Sequence, residues 1–195
     1  MIVKGELIID SLSDMYSSPA CKLGRMVESG ELIRLKRGLY ETDPKTPPYL
    51  VARYLCEPSY ISFEYALSWH EIIPERTVVV TNATINKRRS KRFDTPLGSF
   101  SYSDVPAAAF PVGVDRFVDD DYEYYIATPA KAVCDKLYKM PPVRSYKGLE
   151  TLMFDDLRFD EEEILGLETK TIREYAELYH CTTITTLRNY LEERA

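Results

Sequence analysis

Histidine and closely spaced cysteine are scarce in this chain. There are two histidines, His70 and His180, and four cysteines, Cys21, Cys56, Cys134 and Cys181, all far apart in sequence. Without a CxxC pair, neither a zinc ribbon nor a compact disulfide framework is expected, and the cysteines read as reduced, mostly buried thiols. HExxH, GxSxG, Walker and GxGxxG patterns are also missing, so zinc peptidases, α/β-hydrolases and common nucleotide-binding folds lack their diagnostic parts. The sequence therefore calls for no cofactor, no metal and no catalytic residue, and the chain reads as a non-enzyme. No apolar run approaches the roughly 18 to 20 residues of a membrane span, and the opening MIVKGELIID is broken by Lys4, Glu6 and Asp10. The expectation is a cytoplasmic protein with no membrane partner.

What is present is the composition of a folded chain: 195 residues, 45% hydrophobic and 29% charged, enough for a real core in one or two domains. The net charge of −6 argues against binding nucleic acid with the whole surface. Charge is unevenly placed, however. Residues 1–46 balance seven basic against seven acidic side chains, residues 87–92 read KRRSKR, and acids gather at Asp119, Asp120, Asp121 and Glu123 and again at Asp155, Asp156 and Asp160 to Glu163. The pattern predicts separate electropositive and acidic parts. The acids also suit helix N-termini, where negative charge is favourable, or a basic partner.

Residues 17–42, SSPACKLGRMVESGELIRLKRGLYET, hold the clearest local signals. Ser18 suits an N-cap, Pro19 the first helical turn, and Gly30 the left-handed residue after the helix. Ala20, Leu23, Met26 and Val27 share one helical face, leaving Cys21, Lys22, Arg25 and Ser29 on the other. Glu31 to Leu35 then reads as a strand, Lys36-Arg37-Gly38 as a tight turn and Leu39 to Glu41 as the returning strand. A helix followed by a basic-tipped hairpin is the wing pattern of a winged helix-turn-helix, in which the helix enters the major groove and the tip reaches phosphates. The same pattern also fits a helix and hairpin that pack on the next domain.

DPKTPP, residues 43–48, is the predicted boundary between a winged helix-turn-helix at 1–46 and a second domain at 47–195 able to fold alone. In the second, helices are predicted at Tyr49 to Cys56, after Ser62, after Thr128-Pro129, and through a helical C-terminal third from Lys147 to Arg194. Strands are predicted at Thr77 to Thr81, Ser99 to Tyr102, Gly113 to Val118 and Tyr122 to Ala127. The fold class is α+β, with a mainly antiparallel sheet. One enzymatic alternative is a metal-dependent nuclease built on Glu64, Asp94 and Asp104 with Lys87 and Lys91, since hard cations take oxygen ligands.

Taken in order, GELIRLKRGLYE, PYLVARYLCEPSYISFEYALSWHEIIPE, VVVTNAT, KRFDTPLGSFSYSDVP, YIATPAKAVCDKLY and FDDLRFDEEEI resemble the succession in the abortive-infection type IV antitoxin family. The resemblance runs from Gly30 to Ile164. It implies an N-terminal winged helix that represses its own operon by binding operator DNA, and a second domain that counters a cognate toxin resembling nucleotidyltransferases. It also implies a DNA-reading role for Ser18, Lys22, Arg25, Lys36 and Arg37. Only about 16 residues precede the expected reading helix, where the family has two helices, so MIVKGELIIDSLSDMY supplies a shortened support in which Ile8, Ile9, Leu12 and Met15 form one apolar face. The run Lys87, Arg88, Arg89, Lys91 and Arg92 reads as a loop or strand edge that touches DNA phosphates or toxin, or simply keeps the edge from pairing. A stand-alone regulator without a toxin is the further alternative.

Overall fold

The computed structural model describes residues 1–194. The chain opens with a strand, β1 (Ile2–Lys4), two helices, α1 (Gly5–Ser13) and α2 (Pro19–Glu28), and a hairpin, β2 (Ile33–Lys36) and β3 (Leu39–Glu41). β3 lies at the centre of an antiparallel three-stranded sheet of order β1-β3-β2. Pro19 sits in the first turn of α2, where its missing N–H costs nothing. Gly38 closes the hairpin at a φ of 75°, a backbone region that favours glycine.

Alternate side chains of this hairpin face opposite ways, and the two faces have different partners. Leu32 and Tyr40 join Ile8, Leu12 and Leu23 in a small core beneath α1 and α2. Ile33, Leu35 and Leu39 belong instead to the large core of the rest of the chain. The shortened support thus consists of β1 and one helix, and of its predicted apolar face Ile8 and Leu12 are buried while Ile9 and Met15 are exposed.

The remainder contains α3 (Pro48–Leu55), β4 (Ser59–Ile61), α4 (Phe63–Trp69), β5 (Val80–Thr84), β6 (Lys91–Thr95), β7 (Gly98–Asp104), β8 (Val114–Asp119), β9 (Tyr122–Ala127) and α5 (Pro129–Tyr138). Then come α6 (Tyr146–Glu150), which continues as a π-helical stretch over Thr151–Asp156, α7 (Glu161–Leu165), α8 (Thr169–Tyr179) and α9 (Thr182–Glu192). The six strands form one sheet of order β6-β7-β5-β4-β9-β8. The α+β class and the helical C-terminal third are as expected. Three of the sheet's five pairings are antiparallel, as expected, and the sheet is mixed because β5 pairs β7, and β4 pairs β9, in parallel. β4, three residues that are all buried, had no strand signal, while β6, largely exposed and charged, takes up the strand-edge reading of the 87–92 run at Lys91 and Arg92.

The expected boundary at 46/47 falls between β3 and α3. It marks a change of topology but no break in packing, since β2 and β3 share the large core with α3 and the six-stranded sheet. Polar ties cross it too. The Met1 ammonium donates to Glu41 and, at 2.7 Å, to the Tyr122 hydroxyl, and Thr46 and Tyr122 hydroxyls lie 3.2 Å apart. No helix among the described residues is long and apolar enough to cross a membrane.

Candidate functional site

α2 presents its polar face outward: Leu23 is its one buried residue, with Met26 and Val27 half-buried beside it. Ser18 holds the N-cap position, exposed and without a side-chain capping bond. Cys21 and Arg25 are exposed, and the half-buried Lys22 rests over the Tyr16 ring at 5.7 Å from its centroid. Arg37 is exposed at the hairpin tip. Arg34, which the sequence pattern did not single out, is also exposed, between the buried Ile33 and Leu35. Strand alternation alone would have marked it. Among the described residues, Lys22, Arg25, Arg34 and Arg37 have no carboxylate within salt-bridge distance.

Lys36 departs from its expected role. Its ammonium turns inward and donates to the carbonyls of Tyr54 at 2.9 Å and Leu55 at 2.8 Å, the end of α3. A cation at a helix C-terminus satisfies carbonyls that have no intrahelical partner and meets the negative end of the dipole. Burial lowers the Lys36 pKa, and the nearby Lys91 lowers it further, against opposing contributions from Cys56 and Glu57. Lys36 therefore joins the hairpin to the body and is not a free phosphate ligand.

The basic run 87–92 is divided in the same way. The Lys87 ammonium donates to the Glu57 carbonyl at 2.7 Å, and the backbone N–H groups of Lys87 and Arg88 both donate to the Asp104 carboxylate. These bonds fix the loop, with Arg88 at a φ of 64°. Arg88, Arg89, Lys91 and Arg92 are exposed, and Arg92 pairs with Asp94 at 3.3 Å. β6, which carries Lys91 and Arg92, is an edge strand and lies against β2. The fold thus places two basic segments that are distant in sequence side by side, the hairpin and the 87–92 run.

The carboxylates of the nuclease alternative do not converge. Glu64 pairs with Lys136, Asp94 accepts from Ser99 at 2.6 Å and from Arg92, and Asp104 holds the 87–88 loop. No group of three potential metal ligands occurs among the described residues. In the acidic run, Asp160 caps α7 by accepting from the N–H groups of Glu162 and Glu163.

Two polar clusters were not foreseen. In the first, Lys131 and Asp135, fully buried one turn apart on α5, lie 3.4 Å from each other. Lys131 donates to the Ala109 carbonyl at 2.7 Å and the Tyr179 hydroxyl at 2.6 Å, while Asp135 accepts from the hydroxyls of Tyr60, Ser62 and Tyr179. Desolvation lowers the Lys131 pKa against the pull of Asp135, and burial pushes the Cys134 thiol up. The i,i+4 spacing was visible in the sequence, but its burial was not. In the second cluster, Glu123 accepts from Arg116, Tyr125 and Arg53. Those bonds, Arg116 first, bring its pKa down to about 2. Two guanidinium groups share one carboxylate, so the cluster carries a net positive charge.

Compared with models of known protein families and with curated protein sequences, the chain matches none.

Proposed function

We propose that this protein is a DNA-binding regulator of the abortive-infection type IV antitoxin kind, with residues 1–46 acting as a winged helix-turn-helix that lacks its customary first helix. The observation that carries the reading is the set of unpaired cations on α2, on the hairpin and on the adjoining 87–92 run, in a chain whose net charge is −6. Such segregation directs a phosphate backbone to one face while the acidic remainder repels it elsewhere. In this reading α2 enters the major groove with Lys22 and Arg25, and Arg37 reaches the flanking phosphates. Arg34, Arg88, Arg89 and Lys91 extend the phosphate track. Lys36 acts by holding the hairpin against α3. The DNA is the operator of the protein's own gene, and the second part of the chain counters a nucleotidyltransferase-like toxin, as the family resemblance suggests.

The test is fluorescence anisotropy with a labelled fragment of the promoter upstream of the gene. Lys22→Ala with Arg25→Ala is expected to weaken binding by at least about tenfold, consistent with removal of two charge-assisted hydrogen bonds. Absence of binding by the unaltered protein at low salt would overturn the reading. Rescue of cells expressing the neighbouring toxin gene tests the antitoxin half separately.

A further inference from the structure

The two edges of the six-stranded sheet differ in charge. β6 carries Lys91 and Arg92 and lies against β2, while at the far end β8 pairs with β9 alone. β8 and β9 form a hairpin whose turn, Asp120-Asp121, closes on the pair Asp119 and Tyr122. In an antiparallel ladder, hydrogen-bonded pairs alternate with pairs that exchange no bonds. Thr128 donates its N–H to the Gly113 carbonyl at 2.9 Å, so the odd-numbered residues Asp115, Phe117 and Asp119 exchange bonds with β9. The Glu123 N–H, opposite Val118, goes instead to the Tyr54 hydroxyl at 3.2 Å, as that alternation requires. The backbone groups of Arg116 and Val118 therefore point away from the sheet. Every residue from Asp115 to Asp119 is exposed, and the edge they form is open.

Side chains alternate along the same strand. Asp115, Phe117 and Asp119 share one face. There Phe117, 43% exposed, stacks on Tyr124 at 5.3 Å between centroids, Tyr124 meets Tyr49 at 5.2 Å, and Tyr49 meets Trp69 at 5.5 Å. An aromatic row thus runs from the edge strand to α4 and is exposed at both ends. Asp115 and Asp119 flank Phe117, and neither they nor Asp120 and Asp121 have a cation within salt-bridge distance among the described residues. On the other face Arg116 is held by Glu123, and Val118 is 65% exposed. Across neighbouring strands opposite charges attract and like charges destabilise the pairing. That rule turns away a second copy: β8 paired with itself about Phe117 sets Asp115 against Asp119 twice, and paired about Arg116 it sets two guanidinium groups opposite each other. It admits a strand of opposite charge.

We propose that β8 is a docking edge for an extended, arginine-bearing segment of a partner protein, which joins the sheet as a seventh strand. The segment's backbone bonds to that of Arg116 and Val118, two of its cations face Asp115 and Asp119, and an apolar side chain between them covers Phe117. Main-chain bonds hold such a strand, and its alternate side chains set the specificity. The edge lies across the sheet from β6, so this interaction and DNA binding stand or fall separately.

The probe is the peptide acetyl-TRTITRT-amide, titrated into the full chain and followed through the backbone amide resonances, with acetyl-TETITET-amide as the charge-reversed comparison. Saturable shifts centred on Arg116 and Val118, with slower hydrogen exchange at those two N–H groups, are expected for the arginine peptide. The glutamate peptide should bind more weakly by about tenfold or more. Asp115→Asn with Asp119→Asn should weaken the arginine peptide by about threefold to tenfold at an unchanged Tm, since both carboxylates are exposed and unpaired. Val118→Pro should abolish binding and leave the hairpin paired, because the lost N–H faces away from β9 and an edge strand tolerates proline. Shifts that do not saturate, no gain in exchange protection, equal binding of the two peptides, or indifference to either variant would each overturn the proposal. So would a dimer of the unaltered chain in analytical ultracentrifugation that Val118→Pro removes, which would assign the edge to a second copy.

Discussion

Asp135→Asn is the substitution whose cost the structure fixes most closely. Asp135 accepts three hydroxyl hydrogen bonds, from Tyr60, Ser62 and Tyr179, and faces the Lys131 ammonium at 3.4 Å, with both side chains fully buried. Amide replacement removes the one carboxylate that pairs with Lys131 among the described residues and turns an N–H₂ donor toward groups that are themselves donors. The ammonium keeps the Ala109 carbonyl, the Tyr179 hydroxyl and the faces of Tyr60, Tyr175 and Tyr179. Breaking a buried pair from one side costs about 3 to 5 kcal/mol. Lys131→Met is the informative partner, since it leaves Asp135 with all three hydroxyl donors and should cost less, about 1 to 3 kcal/mol. For a chain of this size, the Asp135→Asn destabilisation corresponds to roughly 6 to 20 °C in Tm. Urea unfolding followed by circular dichroism gives both values. The double variant should cost less than the sum of the singles by about 1 kcal/mol or more. An Asp135→Asn cost below about 1 kcal/mol, or a larger cost for Lys131→Met, would refute this account of the cluster.

Three further outcomes are expected. Cys21 is exposed on the polar face of α2 while Cys56 and Cys134 are buried; it should therefore react first with a thiol reagent, and promoter DNA should slow that reaction, as mass spectrometry of the labelled peptide would register. Glu123 should titrate near pH 2 by carboxyl-carbon NMR, and Arg116→Ala should raise that midpoint toward the ordinary carboxylate range. Because its folded pKa is depressed, the stability linked to Glu123 is present above about pH 4.5 and is lost as pH falls toward 2; a midpoint unchanged by Arg116→Ala would contradict the pairing. A fragment of residues 47–195 should melt well below the full chain, since it lacks Ile33, Leu35 and Leu39 of the large core and the Lys36 bonds to α3. Equal melting temperatures would restore the separate-domain view.

The sequence carried the local elements better than the long-range ones. Ser18-Pro19 and Thr128-Pro129 placed the starts of α2 and α5, and the strand predicted at Tyr122 to Ala127 is β9. These signals are built from neighbours along the chain. β4 was invisible because a three-residue strand with every residue buried has no period-2 pattern. Its parallel pairing with β9, which makes the sheet mixed, depends on segments far apart in sequence. The same distance hid the difference between Lys36 and Arg37. Adjacent in a basic turn, they are separated only by the arrival of α3, whose terminal carbonyls take Lys36 and leave Arg37 exposed. The hairpin tip and the 87–92 run were each marked by charge, but their adjacency through β2 and β6 required the fold.

That adjacency is the centre of the functional account, and the salt dependence of promoter binding tests it most directly. Apparent affinity would be measured across a series of salt concentrations for the unaltered protein and for a triple variant, Arg88→Ala, Arg89→Ala and Lys91→Ala, none of which has an ion-pair partner among the described residues. Each phosphate no longer neutralised should flatten the logarithmic slope by about 0.9. The account predicts a shallower slope for the variant, by the equivalent of one to three such phosphates, with its thermal stability unchanged. Identical slopes for the two proteins would contradict a DNA face that extends from the hairpin onto the 87–92 run.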